Sequence, residues 1–341
     1  MTNIMPLPPA QPPILLVVVD TEEERNWGDY DRSQTSVTAM RRIQSAQRLF
    51  DSFGIRPTYV IDYPVASQPE GFEPLKEIAS SGRAVIGAHL RPWVNPPYVE
   101  AVTPYNSYPG NLAAPLEAAK LKILADTIAH TTGARPVVYK AGRYGIGPHT
   151  ARILADQCFE IDLSVSPAYD YRHDGGPDFS DCSAHPYWFG PESRLLEIPC
   201  TGGFVGFLSG GAPRLHRLAA NPSLRWTRLP GILSRLGALD RLRLSPEGFG
   251  PRDHRRLTRA LLDRGVRVLT FSFHSPSLEP GCTPYVRSEA GLTAFLDSCR
   301  RYFDFFLGEL GGVSMTPLEL KRLVSPVIEP AVRPAIRAWV N

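Results

Sequence analysis

The chain has 341 residues, of which 43% are hydrophobic and 21% charged, enough apolar side chain for a large core, so a wholly disordered protein is excluded. Its 37 basic and 34 acidic residues give a net charge of +3, which indicates neither nucleic acid nor a membrane surface as a partner. The five cysteines are scattered, as is typical of reduced thiols. The N-terminus lacks the pattern of a signal peptide, and we predict a cytoplasmic protein without a transmembrane segment.

Short β-branched runs alternate with amphipathic segments along the chain. The first thirteen residues are rich in proline and should form an extended arm, and residues 14–20 have the pattern of a strand buried on both faces. Further strands are predicted at 57–62, 84–89, 135–142, 161–165, 195–200 and 266–274, and helices at 37–53, 73–81, 112–130, 148–157 and 289–310.

This alternation predicts parallel strands joined by right-handed crossovers. Six or seven strands without a clear linker favour one α/β domain, a distorted TIM-like (β/α)7 barrel over residues 14–324, followed by a C-terminal tail at 325–341.

Polar side chains follow four of the predicted strands at their carboxyl ends, the rim where barrel enzymes place their active sites. They are Asp20 and Glu22, His89, Arg143 with Tyr144, and His274. The i, i+2 spacing of Asp20 and Glu22 puts both carboxylates on one side of an extended chain, where they could share a proton, bind a hard cation or accept a proton. The alternative is that Glu22, Glu23 and Glu24 are solvated loop charges.

The two histidines are ambiguous by themselves, because a lone histidine is more often structural than catalytic. His89 stands in GAHLRPWVNPP, a proline-rich loop that would fix the imidazole and form an aromatic wall with Trp93. His274 ends a strand before a turn-rich loop. The planar fork of Arg143 is suited to an anionic group or to orienting a carboxylate.

Read together, the segments DTEEE, GAHLRPW, KAGRYG, IDLSV and SFHSPSL resemble the successive motifs of polysaccharide deacetylases of the NodB-homology type. The likeness is greatest to the bacterial branch associated with cell-surface polysaccharide synthesis, and it spans nearly the whole chain. It implies a distorted barrel of about seven strands. It also implies a hydrolase that acts on a carbon–nitrogen bond other than a peptide bond, removing N-acetyl groups from an amino-sugar-containing glycan.

The resemblance also implies roles for six residues: Asp20 as general base, Glu22 and His89 as ligands of a divalent metal, commonly zinc, Arg143 as buttress of the base, His274 as general acid, and Asp162 as the carboxylate that tunes that acid. The metal would polarise the carbonyl and activate water. The oxyanion would rest on the metal and on a backbone N–H near Tyr144.

The second motif departs from the family, because Arg91 and Trp93 stand where the family has its further histidine. Neither side chain can bind a cation, whereas a catalytic zinc usually has three protein ligands. A guanidinium beside the site would also repel a metal by about 1 to 4 kcal/mol.

Three alternatives follow. His173 or His185 could complete the metal shell; Arg91 could polarise the carbonyl in place of a metal, with Trp93 and Tyr144 contacting substrate; or the protein is a catalytically silent relative that binds a glycan or partner through the same rim.

Residues 211–245 contain seven arginines and one acid, Asp240. One interpretation is an amphipathic helical insertion whose arginine stems cover apolar surface. The other is a rim that attracts an anionic or lipid-linked glycan, or a membrane surface. No nucleic-acid-binding motif accompanies the charge.

Overall fold

The structure is a computed structural model that describes residues 3–24, 30–207 and 238–325. Its strands are β1 (Asn3–Ile4), β2 (Ile14–Thr21), β3 (Thr58–Ile61), β4 (Val85–Leu90), β5 (Val138–Ala141), β6 (Ile161–Asp162), β7 (Tyr187–Phe189), β8 (Leu195–Glu197), β9 (Gly202–Val205), β10 (Asp240–Arg243), β11 (Val268–His274) and β12 (Val313–Ser314). Seven of these form a continuous parallel series in the order β8-β6-β5-β4-β3-β2-β11, and the short β12 also pairs parallel with β2. The predicted distorted (β/α)7 barrel is confirmed.

The barrel is distorted at the seam between β8 and β11, which no described ladder joins. Other hydrogen bonds bridge this seam. The Thr270 N–H donates to Thr201 Oγ1 at 2.7 Å, and the Ser272 N–H donates to the Leu244 carbonyl at 3.2 Å. The chain that follows β10 is thereby held against β11.

The described helices are α1 (Ile43–Ser52), α2 (Tyr63–Ser67), α3 (Pro69–Ser80), α4 (Ala114–Thr132), α5 (Thr150–Asp156), α6 (Pro251–Leu262), α7 (Glu289–Phe303) and α8 (Pro317–Val324). The prediction missed α2, which begins where Asp62 Oδ1 accepts the Val65 N–H at 2.9 Å. The predicted helix at 289–310 is too long, because α7 ends at Phe303 and residues 304–309 form a wider π-helical segment. No described helix has both the length and the apolar character needed to span a membrane.

Alternate residues of each strand pack on opposite faces of the sheet, because side chains along extended backbone alternate in direction. On β2, Leu15, Val17 and Val19 belong to the large apolar cluster that includes residues from the helices. The residues between them belong to a second cluster, to which the neighbouring strands contribute: Ile14, Leu16, Val18, Val60, Val138, Ile161, Leu196 and Val268. This second cluster is the interior of the barrel, and a residue's position in the alternation decides whether it faces the interior.

The N-terminal arm and the end of the arginine-rich segment each contribute a strand. In the first thirteen residues, β1 pairs antiparallel with β7. The helical prediction for 211–245 is wrong at Asp240–Arg243, which form β10 and pair antiparallel with β9. Its alternating pattern, with Leu242 and Leu244 buried, is that of a strand. Residues 211–237 and 326–341 lie outside the described ranges.

Asp162 and Glu197 are paired across β6 and β8, and both are fully buried. The Ser164 hydroxyl donates to Asp162, and the Val165 N–H donates to Glu197 Oε1 at 3.0 Å. Burial raises the pKa of Asp162 to about 6 and that of Glu197 well above its usual value. At least one proton is therefore retained by this pair at a pH where an exposed carboxyl has lost it.

We predict that Asp162→Asn alters the pH dependence of stability. A raised folded-state pKa contributes stability that is complete below the unfolded pKa of about 4 and is lost as the pH rises through about 6. The asparagine variant lacks this loss of stability. The difference in free energy of unfolding, variant minus native, should therefore rise between pH 5 and pH 8 by on the order of 1 to 3 kcal/mol. Urea unfolding at both pH values measures this, with the exposed Asp156→Asn as control. A difference independent of pH would contradict the assignment.

Candidate active site

A cavity of about 420 Å³ lies at the carboxyl ends of the parallel strands. Eight of the nine predicted site residues line it: Asp20, Glu22, His89, Arg91, Trp93, Arg143, Tyr144 and His274. Asp20, His89 and His274 reach it because each continues the interior-facing alternation of its strand, two or more residues beyond Val18, Val85 and Val268. Because Glu22 is only 6% exposed and Glu23 is fully buried, neither is a solvated loop charge.

The carboxylate of Asp20 is held by Lys140, a residue that the sequence analysis did not single out. Lys140 Nζ donates to the two oxygens of Asp20 at 2.6 and 2.7 Å, and both side chains are buried. Lys140 faces the interior because it lies two residues after Val138 on β5. Burial raises the pKa of Asp20, but the charge and hydrogen bond of Lys140, together with the charges of His89 and His274, outweigh this effect, and the net pKa lies below its usual value. Asp20 is therefore ionised at neutral pH.

Arg143 was expected to buttress Asp20, and this expectation is corrected. Its guanidinium donates to Ser107 Oγ at 2.6 Å and pairs with Asp174. The difference arises in the turn after β5, where Arg143 adopts a φ of 56° and leaves the alternation of the strand. Lys140, still on the strand, takes the buttressing position.

His274 is tuned by Glu247, not by Asp162. His274 Nδ1 lies 2.6 Å from Glu247 Oε2, and the backbone N–H of His274 donates to Glu247 Oε1 at 3.1 Å. The Ser277 hydroxyl also donates to Oε1, at 2.5 Å, so Glu247 is fixed from several sides. Asp162 does not line the cavity. It lies between Ile161 and Leu163, which face the interior, so its side chain is on the outer face of the sheet.

The pKa of His274 is raised to about 9. Burial alone would lower it, but the negative charges of Glu247 and Glu22 outweigh burial. His274 is consequently protonated at neutral pH, opposite an ionised Asp20. Its Nε2 lies 3.8 Å from Asp20 Oδ2, too far for a direct hydrogen bond. The two groups thus face each other as an acid and a base with a narrow gap between them.

Arg91 is almost fully buried between two carboxylates. It pairs with Glu22 and, at 3.0 Å, with Glu23 Oε1. Burial lowers the pKa of Arg91, but the two carboxylates reverse the shift and raise it, so the guanidinium is always charged. Its Cζ lies 4.6 Å from the centre of the Trp93 ring, a stacking geometry that stabilises a buried cation. The Trp93 indole N–H donates to Glu23 Oε1 at 3.2 Å.

The backbone near Arg91 leaves space for this side chain. A Cβ atom added to Gly142 would lie 2.6 Å from the Leu90 carbonyl and 3.0 Å from Arg91 Cγ. Glycine at position 142 therefore permits the close approach of the β5 turn to Arg91.

The donors at the mouth of the cavity do not fit a divalent metal. His89 Nε2 lies 3.4 Å from Glu22 Oε2, but Arg91 is paired with the same oxygen of Glu22. Asp20 has both oxygens bound to Lys140, and Glu247, which also lines the cavity, is bonded to His274 and Ser277. The alternative that His173 or His185 completes a metal shell is not supported, since neither lines the cavity.

Within the described ranges, no three His, Cys, Asp or Glu side chains are grouped as metal ligands would be. Two protein cations occupy the carboxylates that would have to bind a metal ion.

Comparison with known proteins shows the fold. No family model matches the chain, and no curated protein matches its sequence. Among solved structures, Puue allantoinase aligns with a TM-score of 0.50 at 17% identity over 93% of both chains. Two deacetylases are also among the structural neighbours.

The peptidoglycan deacetylase PdaC from Bacillus subtilis has a TM-score of 0.42 at 10% identity, over 92% of this chain and 91% of that one. The catalytic domain of peptidoglycan N-acetylglucosamine deacetylase from Eubacterium rectale has a TM-score of 0.39 at 9% identity, over 93% and 92%.

We predict that Arg91→His increases the affinity for zinc at least tenfold. The change removes the cation paired with Glu22 and adds a neutral nitrogen donor beside Glu22 and His89. Isothermal titration calorimetry with zinc measures the affinity, and Arg91→Gln, which removes the charge without adding a donor, is the matched control. If the native protein binds zinc as tightly as the histidine variant, Arg91 does not exclude the metal.

Proposed function

We propose that the protein is a hydrolase that cleaves a carbon–nitrogen bond other than a peptide bond and removes N-acetyl groups from an amino-sugar-containing glycan without a divalent metal. The observation that carries this proposal is the arrangement of Asp20 and His274 across a 3.8 Å gap at the cavity, the first ionised and the second protonated. The fold shared with an allantoinase is compatible with it.

In the proposed reaction, Asp20 takes a proton from a water molecule. The oxygen of this water attacks the amide carbonyl at the same time. The carbon–oxygen bond forms, and the carbonyl becomes a tetrahedral oxyanion. His274 then donates its proton to the nitrogen as the carbon–nitrogen bond breaks, which yields acetate and a free amine. Glu247 holds the imidazole in position and favours its protonated form.

Arg91 supplies the positive charge that stabilises the oxyanion. It lines the cavity, keeps its charge at every accessible pH and is fixed by Glu22, Glu23 and Trp93 before substrate binds. A preorganised cation in a site of low dielectric is an effective electrostatic catalyst, because it needs no reorganisation during the reaction. Since Lys140 also lowers the basicity of Asp20, the attack depends on this stabilisation.

The lining of the cavity supports a glycan as substrate. Eight aromatic side chains contribute to it: Tyr30, Trp93, Tyr108, Tyr144, Tyr169, Tyr171, Phe249 and Tyr285. Aromatic rings offer apolar faces with polar edges, which suit the apolar face and the hydroxyl groups of a sugar ring. The volume of about 420 Å³ lies in the range of small-molecule sites.

The proposal predicts acetate release from N-acetylated amino-sugar oligomers that is unaffected by a chelator. Asp20→Asn should reduce kcat by a factor of about 10² or more, because the base is lost. The exposed Asp126→Asn is the matched control. Since Asp20→Asn also leaves Lys140 without its carboxylate, circular dichroism checks the fold, and His274→Gln, which removes the acid, should show a comparable loss.

The possible outcomes separate three accounts. Release that stops with the chelator and returns with zinc would overturn the metal-free mechanism. If no N-acetylated oligomer releases acetate, the hydrolase proposal fails, and the catalytically silent glycan-binding relative is favoured.

We also predict that activity falls on the alkaline side near pH 9, where His274 loses its proton. The acid limb should lie at lower pH than the ordinary pKa of an aspartate would place it, because the pKa of Asp20 is lowered. Glu247→Gln removes the largest source of negative charge at His274, so the alkaline limb of kcat/KM should move to lower pH. An unchanged limb in this variant would show that Glu247 does not tune the acid.

A further inference from the structure

Arg243 lies on the cavity wall with neutral hydrogen-bond partners. Its Nη1 donates to Tyr144 Oη at 2.9 Å, and its Nη2 donates to Tyr171 Oη at 2.6 Å and to Ser166 Oγ at 3.1 Å. The guanidinium Cζ is 4.2 Å from the centre of the Tyr169 ring and 4.8 Å from that of Tyr144. Cation–π contacts of this kind stabilise a partly desolvated charge, but they do not neutralise it.

The other cations at the cavity each have a carboxylate partner. Arg91 pairs with Glu22 and Glu23, Lys140 with Asp20, Arg143 with Asp174, and His274 with Glu247. Among the described residues, no carboxylate lies within ion-pair distance of Arg243, and its buried Nε has no hydrogen-bond partner. Residues 208–237, which precede β10 in the chain, contain no Asp or Glu.

A charged group that is largely buried is costly unless an opposite charge accompanies it. At Arg243 the protein positions a planar guanidinium against three hydroxyl groups and two aromatic faces, and the described part of the chain provides no counter-ion for it. This is the arrangement expected when the counter-ion arrives with the ligand, because a fixed guanidinium matches a carboxylate or phosphate with little loss of entropy.

We propose that Arg243 is an anion-binding residue that selects a substrate bearing a carboxylate or phosphate next to its N-acetylated sugar. This inference rests on the proposed function for the identity of the reaction, but the anion site exists independently of turnover. Tyr144, Tyr169 and Tyr171 are positioning residues, since they orient the guanidinium.

The test measures binding to three probes by calorimetry. The probes are N-acetylglucosamine 1-phosphate, a hyaluronan tetrasaccharide, which carries carboxylates, and neutral chitotetraose. The native protein should bind one anionic probe at least tenfold more tightly than chitotetraose, and the two anionic probes distinguish phosphate from carboxylate. Arg243→Gln should weaken binding of that probe by on the order of tenfold and leave chitotetraose unchanged.

Arg241→Gln is the matched control, because it removes the same charge from the same strand at an exposed position that does not line the cavity. If Arg243→Gln does not fold, the native protein still provides a test. Raising the NaCl concentration from about 50 to about 500 mM should weaken the binding of the anionic probe and leave the binding of chitotetraose unchanged. Equal binding of anionic and neutral probes, no binding of any probe, or equal effects of the two glutamine variants would overturn the anion site.

Acetate release measured on the same samples separates this inference from the proposed function. Arg243-dependent binding without release would overturn the hydrolase and leave the anion site standing. Release without any preference for the anionic probes would support the hydrolase and overturn the anion site.

Discussion

Two buried cations neutralise the carboxylates at the end of β2, and the chemistry of the site depends on them. Lys140 binds both oxygens of Asp20, and Arg91 pairs with Glu22 and Glu23. Buried charges without partners would each cost several kcal/mol, so these pairs have to form together for the carboxyl ends of β2, β4 and β5 to pack. The same pairs exclude a divalent metal, since the oxygens it needs are already bound to cations.

With these carboxylates paired, His274 faces Asp20 across the gap. Because Glu247 keeps the imidazole charged, the site combines an anion and a cation that both belong to the protein. In the proposed reaction, the positive charge that stabilises the oxyanion comes from Arg91. The resemblance in the motifs implies a metal in this role, whereas the proposed mechanism assigns the role to the arginine of the second motif.

Much of the fold followed from the alternation of β-branched runs and helices, because parallel strands buried on both faces have a recognisable pattern. The convergence of Asp20, Glu22, His89 and His274 also followed, since the carboxyl ends of parallel strands meet at one rim. Lys140 could have been found by the same reasoning. It lies two residues after Val138, and side chains two apart on a strand face the same way.

The alternation also explains the error at Asp162, which takes the outward position between Ile161 and Leu163. Arg143 could not be placed from sequence, because its position depends on the positive φ of the turn after β5. Glu247 was missed for a different reason, and Arg243 was included only as one of the seven arginines of residues 211–245. They reach the cavity through the β9–β10 hairpin and the loop after it, which bridge the seam between β8 and β11, and no local pattern encodes a long-range contact of this kind.

The central claim is that protein cations, not a metal, occupy the carboxylates of this site. The most direct measurement is anomalous diffraction at the zinc edge from crystals of the native protein grown with zinc. The account predicts no anomalous peak at the cavity and Lys140 Nζ still in hydrogen-bond contact with Asp20. A peak bound by Glu22 and His89, with Arg91 displaced from Glu22, would contradict it.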